Sequence, residues 1–324
     1  MLLQTTMKTL PAPGMCKDGA RSDAINLCRA LALAASCILA APNAGAWGNM
    51  GHEAIALVAW NELSPAQQTE VNDIFAGAPS IYGSKQGVDA LIFAATWPDV
   101  LREGHEHGSL NVPLHIFESI GATSSNAKAV DNLHFADFDP ATDSPALPAD
   151  NVATGVNLAF QFLKDKSSTP LQKGEALSYL IHCVGDAHQP LHSGFTNDLG
   201  GNDITIHPLK GEKNLHAAWD TGFFATTPYF VKGSTPPTDF VSKILDPLVP
   251  SVKAEALATL NPSDWVNESH KLAQQSAYVD ENGQKIVSGA TLSSAYVSSR
   301  LTIAEKRLAE GGVRLAALLG QALP

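Results

Sequence analysis

Cysteine is scarce in this chain. Its 324 residues include four, and Cys16, Cys28 and Cys37 all lie in the first 46 positions. The remainder keeps Cys183 alone, so no internal disulfide can staple it. Charge is also sparse, at 16% of residues, and positive charge most of all: 21 Lys and Arg stand against 32 Asp and Glu, a net −11. Residues 1–46 carry four basic and two acidic side chains; without them the balance is 17 against 30, or −13. Affinity for nucleic acid normally comes from Lys and Arg neutralising phosphates. Such a surface repels it, and a phosphate-ester substrate would need positive charge from another source. Strand signals are few, the best being Asp203 to His207 after Gly200-Gly201. Neither an internal repeat nor a linker divides the chain beyond residue 46. Ala30–Ala41 (ALALAASCILAA) is apolar but too short to span a bilayer.

That short run has the form of an export signal. Arg29 closes a basic-leaning lead, Pro42 ends the apolar core, and Ala44-Gly45-Ala46 fits a small-x-small cleavage pattern. Met7 and Met15 are alternative starts within the long lead. Residues 1–46 are therefore expected to be a signal peptide and leader, with cleavage making Trp47 the new N-terminus. The mature protein is expected to be secreted or periplasmic, free of the membrane and monomeric. A disulfide-free exported chain fits a bacterial periplasm or medium at least as well as a eukaryotic secretory route. The lone sequon Asn267-Glu268-Ser269 is weak support for the latter.

The rest reads as helices. Residues 51–62 place Ile55, Val58 and Ala59 on one face, and Ser64-Pro65 is an N-cap opening a second helix. Residues 88–101 and 152–164 repeat the pattern. Residues 170–189 form the longest central run, with Ala176, Leu180 and Val184 on one stripe and Pro190 ending it. The tail, 293–323, is amphipathic with a Gly-Gly interruption. Residues 103–150, rich in Gly, Ser, Asn and Pro, read as a long surface excursion. The expectation is a single all-α domain over 47–324 with a small β-hairpin.

On the central helix, "LIHCVGDAHQPLH" sets His182 and Asp186 four apart, on one helix face, where they can grip one ion. Pro190 forces the chain out of the helix, so His192 can swing back. "NLHAAWDTG" repeats the device with His216 and Asp220, "TWPDVLR" offers Asp99 with Arg102 one turn later, and "NLHFADFDP" offers His134 and Asp137. One His-x3-Asp pair is ordinarily a helix-surface pair; two, with this many further ligands, are not. Imidazole with carboxylate suits zinc, and a set this large can hold more than one ion. Clustered zinc ions hydrolyse phosphate esters and would supply the missing positive charge.

The ordered set "WGNMGH", "WPDVLR", "LHFADFD", "HCVGDAHQPLHSG", "GGNDI", "NLHAAWDTG" and, more loosely, "AEGGVRLAALL" resembles the zinc-dependent nuclease family of fungi, plants and bacteria known as the S1/P1 type, which includes plant nuclease I. The resemblance implies a mostly helical domain with three zinc ions in a cleft. One would be held by Asp99, His134, His182 and Asp186. A second would be held by His192, His216 and Asp220. A third would take His52, Asp186 as a bridge, and the free amine and carbonyl of Trp47; an amine ligates only when unprotonated. Arg102 would stabilise phosphoryl charge in the transition state. Phe135 would stack on a base, Asp137 would touch its edge, and Asn202 would line the cleft near the scissile phosphate. The substrates implied are single-stranded DNA and RNA, cut to 5′-phosphorylated products, and 3′-nucleotides.

His188 is open between orienting a ligand and closing the helix. The stretch from Asp99 to His134 is longer than the family's and holds a rival, His115 in "VPLHIFES". His134 is preferred because Phe135 and Asp137 follow it in family order, whereas His115 is followed by Glu118. His105 and His107 are expected to be solvent-exposed, and His207 and His270 to be without a role. Two other functions compete. One is a zinc phospholipase of the C type, whose last ligand pair resembles His-x3-Glu. The other is a zinc-binding protein without catalysis, which leaves Arg102 and Phe135 unexplained.

Overall fold

The computed structural model describes residues 47–106, 115–120, 128–146, 150–230 and 236–323. The leader, the cleavage site and the side chains of His105 and His107 lie outside the described residues. Eight longer helices carry the architecture: α1 (Asn49–Glu62), α2 (Pro65–Gly77), α3 (Gly87–Glu106), α4 (Val152–Lys164), α5 (Pro170–Ala187), α6 (Asp246–Ala256), α7 (Pro262–Leu272) and α8 (Ser294–Ala322). Among the described residues, strand structure is confined to two antiparallel pairs, β1 (Phe138–Asp139) with β2 (Ser144–Pro145) and β3 (Thr205–Leu209) with β4 (Glu212–Asn214). The expected hairpin thus exists, its first strand two residues later than Asp203.

Local chemistry explains the helix starts. Ser64 and Thr169 each form a reciprocal capping box, with Gln67 and Gln172, and Pro65 and Pro170 occupy the first helical turns. Asn151 caps α4 and Ser293 caps α8. Helix α5 lies at the centre, packed by α1, α2, α3, α4, α7 and α8. Residues Gly174–Ala187 are all buried, as are Met50–Ala59 of α1, so both helices are enclosed on every side rather than along one stripe.

Two expectations change. The tail is one unbroken helix through Gly311-Gly312. These glycines do not interrupt it; they let it meet α1, because a β-carbon on Gly312 would stand 2.4 Å from Val58 Cγ1. The same device seats α1 on α5, where a β-carbon on Gly185 would stand 2.6 Å from His52 Nδ1. The 103–150 stretch is not wholly superficial either. Ile116 and Phe117, in the 3-10 turn His115–Ile120, are buried, with Phe117 edge-on to Tyr179 of α5, and Leu133 is buried too. The sequon falls inside α7, where Ser269 is buried and donates to the Ala187 carbonyl at 2.6 Å.

Candidate metal centre

Helix α5 positions the first group. His182 and Asp186, one turn apart, face α3 and the 3-10 turn Asn132–His134. Asp99 Oδ1 lies 3.5 Å from both His182 Nε2 and His134 Nδ1, and Asp186 Oδ2 lies 3.2 Å from the same two nitrogens. Pro98 removes one ladder hydrogen bond within α3. In that turn the Ala95 carbonyl accepts His182 Nδ1–H at 2.8 Å, which aims Nε2 at the carboxylates.

Helix α1 brings His52 beside this group. Its ring stacks on His182 at 4.0 Å, and its Nε2 is 3.4 Å from Asp186 Oδ1. Trp47 packs against the first turn of α1 and against Phe224, fully buried.

The second group forms where the chain leaves α5. The 3-10 turn Pro190–Ser193 carries His192, whose Nδ1 donates to the His134 carbonyl. Asn214 caps a short helical turn, Leu215–Ala217, that runs into a π-helical turn, Ala218–Gly222. His216 Nδ1 donates to the Gly200 carbonyl at 2.7 Å, and its Nε2 lies 3.2 Å from Asp220 Oδ2. The Nε2 atoms of His192 and His216 face each other at 3.2 Å. Three sets of ligand atoms therefore converge: His52, His182 and Asp186; Asp99, His134 and His182; His192, His216 and Asp220.

These groups fit metal ions. Ligands on a tetrahedral zinc with bonds of about 2.0–2.1 Å stand about 3.3 Å apart, and the separations above cluster around that value. Both oxygens of Asp186, both ring nitrogens of His52, Asp99 Oδ1 and Asp220 Oδ2 are buried without a hydrogen-bond partner. Burial leads the factors that hold His192 at about 4 and His216 at about 3, so both rings are neutral at pH 7. Their facing lone pairs then have no proton between them, an arrangement a cation relieves. His182 differs. Burial works against its charge, but the Asp186 and Asp99 carboxylates outweigh it and push His182 up to about 10. Without a metal it keeps a proton where an ion would sit.

Of the remaining sequence-derived residues, Arg102 is half-buried, and its charge is felt at Asp99, His134, His192, His216 and Asp220. Phe135 is 36% exposed. Asp137 is raised to about 7, first by burial and then by the neighbouring Asp198. Asn202 is half-buried and donates to the Leu199 carbonyl at 2.9 Å. His115 stands apart from the groups, held 2.8 Å from Glu175. His188 is structural, with Nδ1 donating to the Val184 carbonyl and Nε2 facing Arg314 at 2.9 Å. His207 is exposed. His270, by contrast, has a structural role. It is buried and stacks on Phe138 at 3.6 Å, donates to the Ser193 carbonyl and meets Asp143.

Two residues went unnoticed in the sequence. Gln189 is fully buried and donates to Asp220 Oδ1 at 2.6 Å; its place between two ligand positions was the available signal. Leu199, at φ 52°, is 58% exposed. It precedes Gly200, whose β-carbon would stand 3.4 Å from Asp137 Oδ1. An exposed leucine beside the glycine pair was its signal.

Comparison with known proteins adds an independent line. The family model described as S1/P1 Nuclease matches residues 47–324. Endonuclease 3 of Arabidopsis thaliana is 38% identical over 154 residues, 45% of this chain and 51% of that protein, so the chain spans about half of it. Endonuclease 2 of Arabidopsis thaliana is 29% identical over 301 residues, 88% of this chain and 93% of that protein. Nuclease S1 of Aspergillus oryzae is 23% identical over 299 residues, 90% of this chain and 96% of that protein.

Proposed function

We propose, on the premise that the chain belongs to the S1/P1 nuclease family, that it is a zinc-dependent phosphodiesterase hydrolysing single-stranded DNA and RNA to 5′-phosphorylated products, with 3′-nucleotidase activity. The observation that carries this reading is the convergence of buried, unpartnered imidazole and carboxylate atoms in three groups within one region. Asp99, His134, His182 and Asp186 would hold one ion, and His192, His216 and Asp220 a second. His52, Asp186 and the free amine and carbonyl of Trp47 would hold a third. Zinc bound there supplies Lewis acidity and a lowered water pKa.

The chain's own residues do the rest. Arg102 holds charge that develops on the phosphoryl oxygens. Phe135 offers its exposed face to a nucleobase, and stacking needs an unpaired base, which favours single strands. Asp137 reads the base edge, and Asn202 lines the cleft near the phosphate. Asp186 turns one oxygen toward His52 and the other toward His134 and His182, so a single carboxylate serves two groups. Export follows from the leader, and among the described residues no helix is long and apolar enough to cross a membrane.

The test offers the purified protein a single-stranded oligonucleotide, a 3′-nucleotide and a phosphatidylcholine dispersion, before and after chelation and after zinc is returned. Cleavage of the first two, lost to chelator and restored by zinc, is expected. Turnover of the phospholipid alone would replace this reading with a phospholipase, and zinc binding without turnover would reduce it to a binding protein.

A further inference from the structure

Extended residues 135–138 run parallel to 192–195, with Ala136 N–H donating to the His192 carbonyl at 2.7 Å and Phe138 N–H to the Gly194 carbonyl at 2.8 Å. Side chains alternate along extended backbone. Phe135, exposed, and Asp137, half-buried, share one face, while Ala136 and Phe138 are buried on the other. The face assigned to the nucleobase is therefore backed by Phe138. What Phe138 rests on is His270, buried in the last turn of α7. The two rings stack with centroids 3.6 Å apart and planes 4° apart, and Phe195 meets the same imidazole edge-on at 5.2 Å. His270 Nδ1 donates to the Ser193 carbonyl at 2.6 Å, and Nε2 meets Asp143 Oδ1 at 2.9 Å. Asp143 closes the β1–β2 turn at φ 51°, and its Oδ1 also accepts from the Gln274 amide at 2.7 Å.

One ring thus touches the segment carrying Phe135 and Asp137, the turn that ends it, and the segment that follows His192. Its partners Phe138, Phe195, Ser193 and Asp143 are none of them proposed ligands. Resting on the functional reading above, we propose that His270 is a positioning residue for the nucleobase site: from α7 it holds Phe135 and Asp137 in place through Phe138 and Asp143. A binding face is precise only when the residues behind it are locked by packing and hydrogen bonds. A face that must be ordered on binding loses affinity by the cost of that ordering. The imidazole ligands have supports of their own. His182 is fixed by the Ala95 carbonyl, His216 by the Gly200 carbonyl and His192 by the His134 carbonyl. Loss of His270 therefore loosens the base face while the ions stay held, and its effect falls on affinity for the base rather than on bond breaking.

The experiment measures kcat and KM of the zinc-loaded protein for 3′-AMP, and the inhibition of that reaction by 5′-AMP and by inorganic phosphate. Both inhibitors present phosphate to the metal centre, but only the nucleotide also fills the base face. H270F keeps a ring against Phe138 and loses both polar contacts. D143A removes the outer tether at a side chain 63% exposed, so the core is left intact. D143N keeps an oxygen for His270 and Gln274. H270F should raise KM for 3′-AMP and weaken inhibition by 5′-AMP by about tenfold, within the worth of stacking one base. D143A should do the same by about threefold, the scale of one hydrogen bond, and D143N should restore wild-type values. Inhibition by phosphate, kcat and zinc content should not move. An equal loss of both inhibitors, a fall in kcat at unchanged KM, or no change in any constant overturns the proposal while the nuclease reading stands. A wild-type protein that hydrolyses neither 3′-AMP nor a single-stranded oligonucleotide overturns both.

Discussion

The side-chain amide of Gln189 donates to Asp220 Oδ1 at 2.6 Å, both groups sealed from solvent. The other carboxylate oxygen is left toward His216 Nε2 at 3.2 Å, and the Gln189 side-chain oxygen Oε1 accepts from Leu191 N–H. One side chain thus fixes both the exit of α5 and the orientation of a ligand on the π-helical turn. Gln189→Leu should weaken zinc binding at the His192–His216–Asp220 group by about tenfold to a hundredfold, the usual cost of losing such a supporting hydrogen bond. Competition against a chromophoric chelator measures it, and the first group should keep its affinity.

Asp186→Asn should abolish hydrolysis and lower zinc content at two groups at once. Both oxygens are buried and unpartnered, and each faces a different set of imidazoles. Atomic absorption on the folded variant reads the stoichiometry. Full zinc loading with near-normal turnover would remove Asp186 from its double role.

His134→Ala and His115→Ala should part company. His134 lies among the ligands, and its loss should cost about a hundredfold or more in kcat, the scale of losing one electrostatic stabiliser. Among the described residues, His115 hydrogen-bonds to Glu175, through its backbone N–H and its ring. Its replacement should leave turnover intact and cost about 1 kcal/mol of stability, the worth of one side-chain hydrogen bond, in urea unfolding.

Removal of metal should change how stability follows pH. His182 has a folded-state pKa of about 10 against an ordinary 6.5. Proton binding therefore supports the metal-free fold fully below pH 6.5, and this support is lost as pH rises through about 10. The chelated protein should melt several degrees lower at pH 10 than at pH 6.5. The zinc-loaded protein should show far less of this fall, because the ion replaces the proton. Thermal melts with and without chelator compare the two curves.

A chain retaining residues 1–46 should hydrolyse single-stranded oligonucleotide about a hundredfold to a thousandfold more slowly than one beginning at Trp47. In the longer form the nitrogen of Trp47 is an amide, with no lone pair for an ion. Equal rates, with the leader shown by mass spectrometry to be attached, would exclude Trp47 as a ligand.

Helices α1 to α5 were legible because apolar positions recur at the helical period, helped in α2 and α5 by a cap and a proline at the start. The continuity of α8 was not, since Gly311 and Gly312 answer to α1 across an interface that no local pattern records. Helices α6 and α7 escaped notice behind Pro247, Pro250 and Pro262. Pro247 and Pro262 sit in first turns, where proline is tolerated. In the centre, His182–Asp186 and His216–Asp220 were visible as four-residue spacings. Gln189 and His270 were not, because their partners Asp220 and Asp143 lie 31 and 127 positions away.

The distance between α1 and α5 is set by an atom that is not there. With a β-carbon at position 185, His52 Nδ1 at 2.6 Å and Cε1 at 2.9 Å would both have to retreat, and His52 would draw away from Asp186. Alanine, the mildest exchange, already has this effect. Substitution at position 185 therefore reaches the metal centre through the spacing of two helices, with no ligand replaced.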